Sequence, residues 1–600
     1  MLDTQQNKGG DKKTLIAMVL IGLIFAWTMT NMPEEKPKED SPNTEQSTEQ
    51  DKHEVQKEEL PVVPSFSTVG DSSTPVVAQT NETILIENNK LTLEFETLGG
   101  QVKSAILKEY QTYDKQPLDL MDGEKSDFDL VFAKQGKKVH TNRLMFDYDL
   151  VTEGDNQKLT FTHKDELGGE LHFIYTLNED DYHVGFDVKS INMEDQLGLD
   201  PKLKLAMQIM VPRHEKNIEN ERNLTTVFYR DSEEVDYLSE TSEDQETIQS
   251  VKWVAFKDQF FSTILRSDQS FPEMEMKTVL QNEKNETDVK ALYAETTIKL
   301  KDEIDLDLHL YFVPNHFKTL KTYGEDFQYL IPLGWGIFGW INRFVVIEMF
   351  HFLEGFNLGY GLIILIMALV IKIALFPLTK KSYTSMAAMR VLKPELDKIK
   401  EKHSDPAEQQ QAQMKLYGQA GVSPLSGCLP MLLQMPILFA LFRFFPASIE
   451  LRQESFLWAD DLSTFDNVMD LGFHIPLYGA HISLFALLMA LSSFLQMIFN
   501  NNNNAASSGN PMADQMKYMM YFMPVIFLGV MNSYAAALSY YYFIANMMTF
   551  AQQLWIRKTT NDEKILAKIE ANKSKPKKGA MNRFQRRMEE MMKEQEKAKK

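Results

Sequence analysis

The residue of most chemical interest is Lys372, a single charge within the apolar run of residues 357–378. About 22 residues in a helix rise roughly 33 Å, enough to span a bilayer. A charge in hydrocarbon costs on the order of 3 kcal/mol, so such a side chain usually faces protein or a wet cavity. The alternative is that Lys372, about 9 Å from the helix end, extends its amine to the membrane interface.

Four further apolar stretches follow this run, and three of them carry a side-chain amide that would lie within a span. These are Gln434 in residues 428–448, Gln496 in residues 478–499 and Asn546 in residues 535–556. The fourth stretch, residues 516–531, carries the methionines Met516, Met519, Met520 and Met523. Polar groups are costly in lipid unless they are paired or hydrated. Methionine is flexible, so its stretch is either an adaptable surface or ordinary packed and lipid-facing side chains.

The distribution of charge separates the chain into an acidic body and a basic tail. The 600 residues have a formal net charge of −21, while residues 557–600 hold 15 Lys and Arg against 7 Asp and Glu. The net charge is therefore +8 for the tail and −29 for residues 1–556. This asymmetry favours placement on opposite sides of a membrane over a nucleic-acid enzyme. A single cysteine, Cys428, excludes a disulfide within the chain.

The N-terminal part is predicted to be a membrane anchor followed by a linker. Residues 14–31 are apolar, follow Lys12 and Lys13, and lack the small residues of a signal cleavage site. Residues 1–31 are therefore expected to be retained as an anchor with its N-terminus in the cytoplasm. Residues 32–80 are rich in Pro, Glu, Ser, Thr and Gln, which predicts a disordered linker.

Residues 81–330 have the alternation typical of strands, as in Leu91-Thr-Leu-Glu-Phe-Glu and Ile304-Asp-Leu-Asp-Leu-His-Leu. Period-two alternation buries one face of an antiparallel sheet, so we expect a large β-sandwich outside the cytoplasm. The segment shows no nucleophile–base pairing, phosphate loop or metal-ligand spacing. Four histidines are interpreted as ordinary sheet residues: His163, His172, His183 and His309. We expect no enzyme activity, cofactor or metal.

Two helical segments flank the Lys372 run. Residues 335–356 place Arg343, Glu348, His351 and Glu354 within an arc of roughly 140°, which favours an amphipathic helix in the membrane interface over an extra span. Residues 379–427 are predicted to form a cytoplasmic helical hairpin whose second helix begins at 406 and ends at Gly421. Its apolar residues at helical spacing are Met386, Met389, Leu392, Leu396 and Met414. The hairpin is either a solvated connector or a docking arm.

The anchor and the five apolar stretches make six crossings. Both termini, the hairpin and the basic tail then share one side, as the positive-inside rule requires. The predicted fold class is a multi-domain α+β membrane protein with an N-terminal anchor helix, a β-super-sandwich and a C-terminal bundle of five spans.

Several motifs resemble those of the YidC family of membrane protein insertases. They are Lys372-Ile-Ala-Leu-Phe-Pro-Leu-Thr, Tyr383-Thr-Ser-Met-Ala-Ala-Met-Arg, Pro424-Leu-Ser-Gly-Cys-Leu-Pro-Met-Leu-Leu-Gln-Met-Pro and Tyr541-Tyr-Phe-Ile-Ala-Asn. In the β-domain, Leu98-Gly-Gly-Gln-Val and Trp253-Val-Ala-Phe-Lys-Asp-Gln-Phe-Phe are similar to the periplasmic domain of Gram-negative members. The family commonly has arginine in place of Lys372; lysine keeps the charge but lacks the planar five-donor fork.

The resemblance implies a location in the bacterial inner membrane, with a periplasmic β-domain like the sandwiches of sugar-binding enzymes. It implies insertion of nascent membrane proteins, alone or with the Sec translocon. Lys372, Gln434, Gln496 and Asn546 would pool into a wet groove open to the cytoplasm. The methionines of 516–531, with Tyr541 and Tyr542, would form the surface along which a substrate slides. The basic tail either fixes orientation or binds ribosomal RNA and anionic lipid.

Two other classes of function remain open on the sequence. A membrane-anchored carbohydrate-active enzyme would explain the sandwich, but it would need paired carboxylates and a single anchor. An ion or solute channel would explain polar residues within spans, but it favours repeats or charge rings, which the sequence does not show.

Overall fold

The computed structural model describes residues 80–574 apart from 155, 199, 283, 404–405, 423–428, 477 and 504–522. Several predicted features lie outside the described residues. These are the anchor 1–31, the linker up to residue 79, Met516, Met519, Met520 and the tail beyond residue 574.

A small antiparallel sheet opens the described chain. Its four strands, in spatial order, are β1 (Thr83–Glu87), β2 (Leu91–Glu96), β3 (Gln101–Gln111) and β4 (Pro117–Asp119). In β2, Leu91, Leu93 and Phe95 are buried while the intervening residues are partly exposed. The predicted alternation is therefore present, with one face of the sheet on a core.

A second antiparallel sheet contains thirteen strands within the described part of the chain. They are β5 (Asp127–Lys134), β6 (Lys137–His140), β7 (Asp147–Glu153), β8 (Asn156–Lys164), β9 (Glu170–Leu177), β10 (His183–Ile191), β11 (Lys202–Pro212), β12 (Thr226–Arg230), β13 (Val235–Tyr237), β14 (Asp244–Lys257), β15 (Phe261–Leu280), β16 (Asp288–Lys299) and β17 (Asp305–Pro314). The main path runs β6-β5-β11-β16-β15-β17-β10-β9-β8-β7, and β12, β13 and β14 extend from β15.

The two sheets pack through aromatic side chains. The Phe95 ring lies 4.7 Å from that of Tyr175 and 5.9 Å from that of Phe161, between ring centroids. The Tyr175 hydroxyl donates a hydrogen bond of 3.0 Å to the Gly100 carbonyl, so this buried polar group is satisfied. The chain thus has the sheet-rich domain that its alternation predicts.

Most of the remaining described elements are helices. Within or next to the sheet-rich domain lie α1 (Glu194–Leu197), α2 (Ile218–Leu224) and α3 (Phe317–Tyr323). The C-terminal helices are α4 (Gly336–Ile341), continued by a π turn (Asn342–Val346) into α5 (Ile347–Glu354), then α6 (Tyr360–Val391), α7 (Lys393–Lys402), α8 (Pro406–Ala420), α9 (Leu429–Ala447), α10 (Leu484–Asn503), α11 (described over 523–531), α12 (Ala536–Thr559) and α13 (Asp562–Ser574). Among the described residues, Gly336–Glu354 and Tyr360–Val391 are long and apolar enough to cross a membrane.

Helix α6 is longer than the predicted span of 357–378, since it passes through Pro377 and ends at Val391. The first helix of the predicted hairpin is therefore the continuous end of α6, followed by α7. The second helix is Pro406–Ala420, as predicted, and Gly421 follows it with φ +68°, which is the usual glycine stop.

Helix α10 begins at Leu484, six residues later than the predicted stretch 478–499. The preceding residues form a strand pair, β18 (Met469–Ile475) with β19 (Gly479–Ile482). Ser483 then caps the helix, because its Oγ accepts a 3.0 Å hydrogen bond from the Ala486 amide.

The sheet-rich domain is docked on the loops of the helical region. A buried ion pair joins Arg452 Nε to Glu215 Oε1 at 2.6 Å, and Arg452 Nη2 donates to the His214 carbonyl at 3.4 Å. Gln453 donates to the Gln111 and Thr112 carbonyls at 2.9 and 3.0 Å. The strands and the helical bundle therefore meet through a specific polar interface.

Candidate intramembrane polar site

The Lys372 side chain is buried between α6 and α12, with only 5% of the residue exposed. Its ammonium donates a 2.6 Å hydrogen bond to Thr549 Oγ1, and the Thr549 hydroxyl donates to the Ala545 carbonyl at 2.7 Å. Gln552 Nε2 also donates to the Lys372 carbonyl, at 3.2 Å. Lys372 therefore points into protein, and its amine does not reach the helix end as the snorkelling alternative requires.

Asn546 lies one turn before Thr549 on α12 and faces α10. Its Nδ2 donates to Ser492 Oγ at 3.1 Å and to Ser493 Oγ at 2.8 Å. Asn546 and Thr549, the partner of Lys372, thus lie on neighbouring turns of α12. Three helices, α6, α10 and α12, contribute polar groups to this site.

Gln496 and Gln434 each lie one helical turn from a residue that contacts α12. Gln496 is half-buried on α10, one turn after Ser492, and Gln434 is half-buried on α9. Neither amide is hydrogen-bonded to another residue in the described part of the chain. The Tyr542 hydroxyl donates to the Leu438 carbonyl at 3.0 Å, so α9 and α12 meet one turn from both Gln434 and Asn546.

The partners of these groups are not among the site residues predicted from the sequence. Thr549, Gln553, Ser492 and Ser493 complete the site, and Gln553 Nε2 donates to the Tyr383 hydroxyl of α6. A signal for them exists in the sequence. Asn546, Thr549 and Gln553 recur at spacings of three and four, which places a polar stripe on one face of an otherwise apolar helix.

Family comparisons cover most of the chain. The model described as 60Kd inner membrane protein matches residues 352–564, and the model described as YidC periplasmic domain matches residues 83–347. The membrane protein insertase YidC of Parabacteroides distasonis is 38% identical over 98% of this chain and 100% of its own length. This chain belongs to the YidC family. YidC proteins of Bacteroides fragilis and Amoebophilus asiaticus are 37% and 35% identical, over 85% and 97% of this chain and 84% and 98% of theirs.

Among solved structures, a galactose mutarotase related enzyme from Lactobacillus acidophilus overlaps 39% of this YidC-family chain and 97% of its own. The identity is 10% and the TM-score 0.26. Values this low support no conclusion about fold or function.

The predicted sliding surface is only partly visible in this YidC-family chain. Met523, at the start of the described part of α11, is 52% exposed. Tyr541 and Tyr542 are instead buried on α12, and the Tyr541 ring packs 5.9 Å from that of Phe445. In this conformation the two tyrosines hold α12 to α9 and offer no open surface.

The helical hairpin that ends α6 and includes α7 and α8 has a small core of its own. Leu392 and Leu396 are buried with Leu416, Tyr417, Ala420 and Ile569; Met389 and Met414 pack on this core, and Met386 is half-buried beside Tyr383. Ile569 belongs to α13, which the sequence analysis treated as part of the basic tail. Helix α13 is also held by Arg390–Asp562 at 2.9 Å and Lys573–Glu395 at 2.5 Å. Residues 562–574 are thus part of the hairpin assembly.

Two groups of histidines and carboxylates have metal-like spacing among the described residues: His214 with Glu221 and Asp258, and His316 with His351 and Glu450. In the first group both ring nitrogens are engaged, Nδ1 with Asp258 at 2.8 Å and Nε2 with the Asp119 carbonyl at 2.7 Å. Burial opposes protonation of His214, but the bond to Asp258 and its charge raise the pKa of the imidazole. This group is a satisfied hydrogen-bond network.

Proposed function

We propose that this chain inserts nascent membrane proteins into the bacterial inner membrane through the polar site between α6, α9, α10 and α12. The observation that carries the proposal is the burial of Lys372 against Thr549, next to Asn546 and its two serines. A charge held inside an apolar helix packing is costly and marks a functional site by default. The family is one of insertases, and its members are not enzymes.

In this mechanism a polar or acidic segment of the substrate enters the site from the cytoplasm. A carboxylate would replace Thr549 as the partner of the Lys372 ammonium, because a charge-assisted pair is stronger than a bond to a neutral hydroxyl. Gln434 and Gln496, which face no described partner, would bind further polar groups. The barrier to crossing is then thinner than the full bilayer.

The substrate's apolar segment supplies the driving force. About twenty apolar residues gain several kcal/mol on moving from water to lipid, so no nucleotide or ion gradient is required. Met523 and the preceding methionines of 516–531 would provide an adaptable path to lipid. Tyr541 and Tyr542 would join that path only when α9 and α12 separate.

We propose the following membrane topology. Residues 1–31 anchor the chain, 32–80 link the anchor to the periplasmic domain 81–330, and 335–356 lie in the outer interface. The five core spans are α6, α9, α10, the helix that includes α11, and α12, with both termini in the cytoplasm. The exposed side chains Trp340, Phe344 and Phe352 support contact of 335–356 with lipid.

The proposed partners besides nascent membrane proteins and the bilayer are the Sec translocon and the ribosome. Residues 575–600 hold ten Lys and Arg against four Asp and Glu, and this charge suits ribosomal RNA or anionic lipid. The hairpin with α13 would act as a docking arm. Prolines at Leu396 and Met414 should then impair insertion while the spans remain assembled, whereas normal insertion would reduce the hairpin to a connector.

Reconstitution tests the function itself. Liposomes with and without the protein receive a short single-span substrate with an acidic tail, and protease protection reports insertion. We expect protection only with the protein, preserved by Lys372→Arg and lost with Lys372→Glu, which repels the tail. Equal insertion by the Lys372→Glu and wild-type proteins would refute the role of the charge. Equal insertion in protein-free liposomes would refute the function.

A further inference from the structure

A second polar cluster lies where the sheet-rich domain meets the helical region, away from the intramembrane site. We propose that His316, His351 and Glu450 form a binding site for a divalent transition-metal ion, Zn²⁺ by its ligand set. His316 follows β17, His351 lies on α5, and Glu450 follows α9. Two imidazoles and one carboxylate are a known protein ligand set for zinc, with a fourth position left for water. The inference does not depend on the proposed insertion activity.

Hydrogen bonds orient both histidines for this task. His316 Nδ1 bonds to Thr319 Oγ1 at 2.8 Å, and His351 Nδ1 bonds to Glu354 Oε2 at 3.0 Å. Glu354 is fixed in turn by the Tyr360 hydroxyl, which donates to its Oε1 at 2.8 Å. With Nδ1 occupied, each ring has Nε2 available as a ligand. A carboxylate behind a ligating histidine is the common outer partner in zinc sites.

The separations between the three ligand atoms are close to those found around a bound metal ion. One ligand atom from each of the three residues lies within 4.8 Å of the others, and His316 Nε2 is 3.5 Å from Glu450 Oε1. Tetrahedral ligands with bonds of about 2.0–2.1 Å are about 3.3 Å apart. Closing the cluster around an ion therefore shortens the separations between ligand atoms by at most about 1.5 Å.

A small cavity borders His351 and Glu450, two of the three proposed ligands, and most of its other lining residues are apolar. It measures about 10 Å³, room for about one water molecule, and its lining includes His351, Glu450 and Ser448. The Ser448 hydroxyl is buried and has no hydrogen-bond partner in the described part of the chain. A metal-bound water in this cavity would give that hydroxyl a partner. The buried serine thus points independently to a polar occupant.

The other histidine–carboxylate group shows what distinguishes this one. Both nitrogens of His214 already have protein partners, whereas His316 and His351 each have one. The three proposed ligands come from three separate segments, so the sequence contains no compact ligand motif. A metal at this point would tie the periplasmic domain to α5 and to the loop after α9.

Zinc binding by the full-length protein in detergent tests the inference. A tag without histidine is used, the protein is incubated with ZnCl₂ and passed through a desalting column, and zinc is measured by mass spectrometry. We expect one zinc per chain for the wild type and loss of that equivalent in Glu450→Gln and His316→Ala. His474→Ala removes an exposed histidine of β18 and should leave binding unchanged.

A spectroscopic readout separates ligation from a structural defect. Co²⁺ in place of Zn²⁺ should give the intense visible bands of a tetrahedral site in the wild type and not in Glu450→Gln. Glu354→Gln keeps the three ligands but weakens the support of His351, so affinity should fall by about 10–100-fold. Absence of stoichiometric zinc in the folded wild type, or full zinc retention by both ligand variants, would overturn the proposal.

Discussion

The ion pair between Arg452 and Glu215 offers a quantitative test of how the periplasmic domain is held. The two side chains are only 3% and 6% exposed, and the Arg452 guanidinium also lies over the Phe261 ring at 5.2 Å. Replacing Glu215 by alanine leaves the arginine charge buried without its partner. Breaking a buried pair in this way costs about 3–5 kcal/mol. Since about 1.4 kcal/mol is a factor of ten, opening of the interface should become about two to four orders of magnitude more frequent.

Hydrogen exchange in the loop after α9 measures that opening. Amides around Ile449–Leu451 should lose protection by that factor in Glu215→Ala, while amides in the centre of β15 keep theirs. Glu87→Ala is the matched control, because its pair with Lys108 is largely exposed and contributes about 0–1 kcal/mol. Unchanged protection in Glu215→Ala would refute the reasoning that this ion pair holds the two parts together.

Three further predictions concern the helical region. Thr549→Val removes the partner of the Lys372 ammonium and should lower the free energy of unfolding by about 1.5–3 kcal/mol. The unfolding midpoint in detergent should fall in Thr549→Val and be restored in Thr549→Ser, and equal midpoints for the two variants would contradict this. Leu396→Ala should destabilise the hairpin core by about 2–5 kcal/mol and release α13, detected as faster proteolysis around Ile569. Truncation after Ser574 should weaken ribosome co-sedimentation, more at low than at high salt; full binding at low salt would return the tail to a role in orientation.

Local patterns predict much of this fold. The alternation of Leu91, Leu93 and Phe95 predicts a half-buried strand because strand geometry itself has period two. The helix over Pro406–Ala420 follows from a proline at its start and a glycine after its end. The apolar helices follow from long apolar runs. The extension of α6 past Pro377 does not, because the hairpin core that packs on the end of α6 is formed by residues distant in the sequence.

Long-range partners are beyond what the sequence patterns show. Lys372 and Thr549 are 177 residues apart in the chain and meet only because α6 packs on α12. Arg452 pairs with Glu215 of the sheet-rich domain, 237 residues away. The packing of α13 was missed because Ile565 and Ile569 form a short apolar stripe within a segment whose charge dominates its composition.

The polar side chains of residues 335–356 do not all face water. The Arg343 guanidinium lies over the Tyr329 ring at 4.6 Å, and His351 pairs with Glu354. Only Glu348 of the four is exposed. The arc therefore faces the sheet-rich domain as much as solvent, which the helical periodicity alone does not distinguish.

Site-specific photo-crosslinking tests the central claim, that a substrate's polar tail passes through the site between α6, α9, α10 and α12. A photoreactive residue replaces Gln496 at the margin of the site or, as a control on the same helix, the exposed Leu491. A single-span substrate with an acidic tail is stalled during insertion. We expect crosslinks from position 496 to the acidic tail and few or none from position 491. Equal or stronger crosslinking of the tail from position 491 would contradict it.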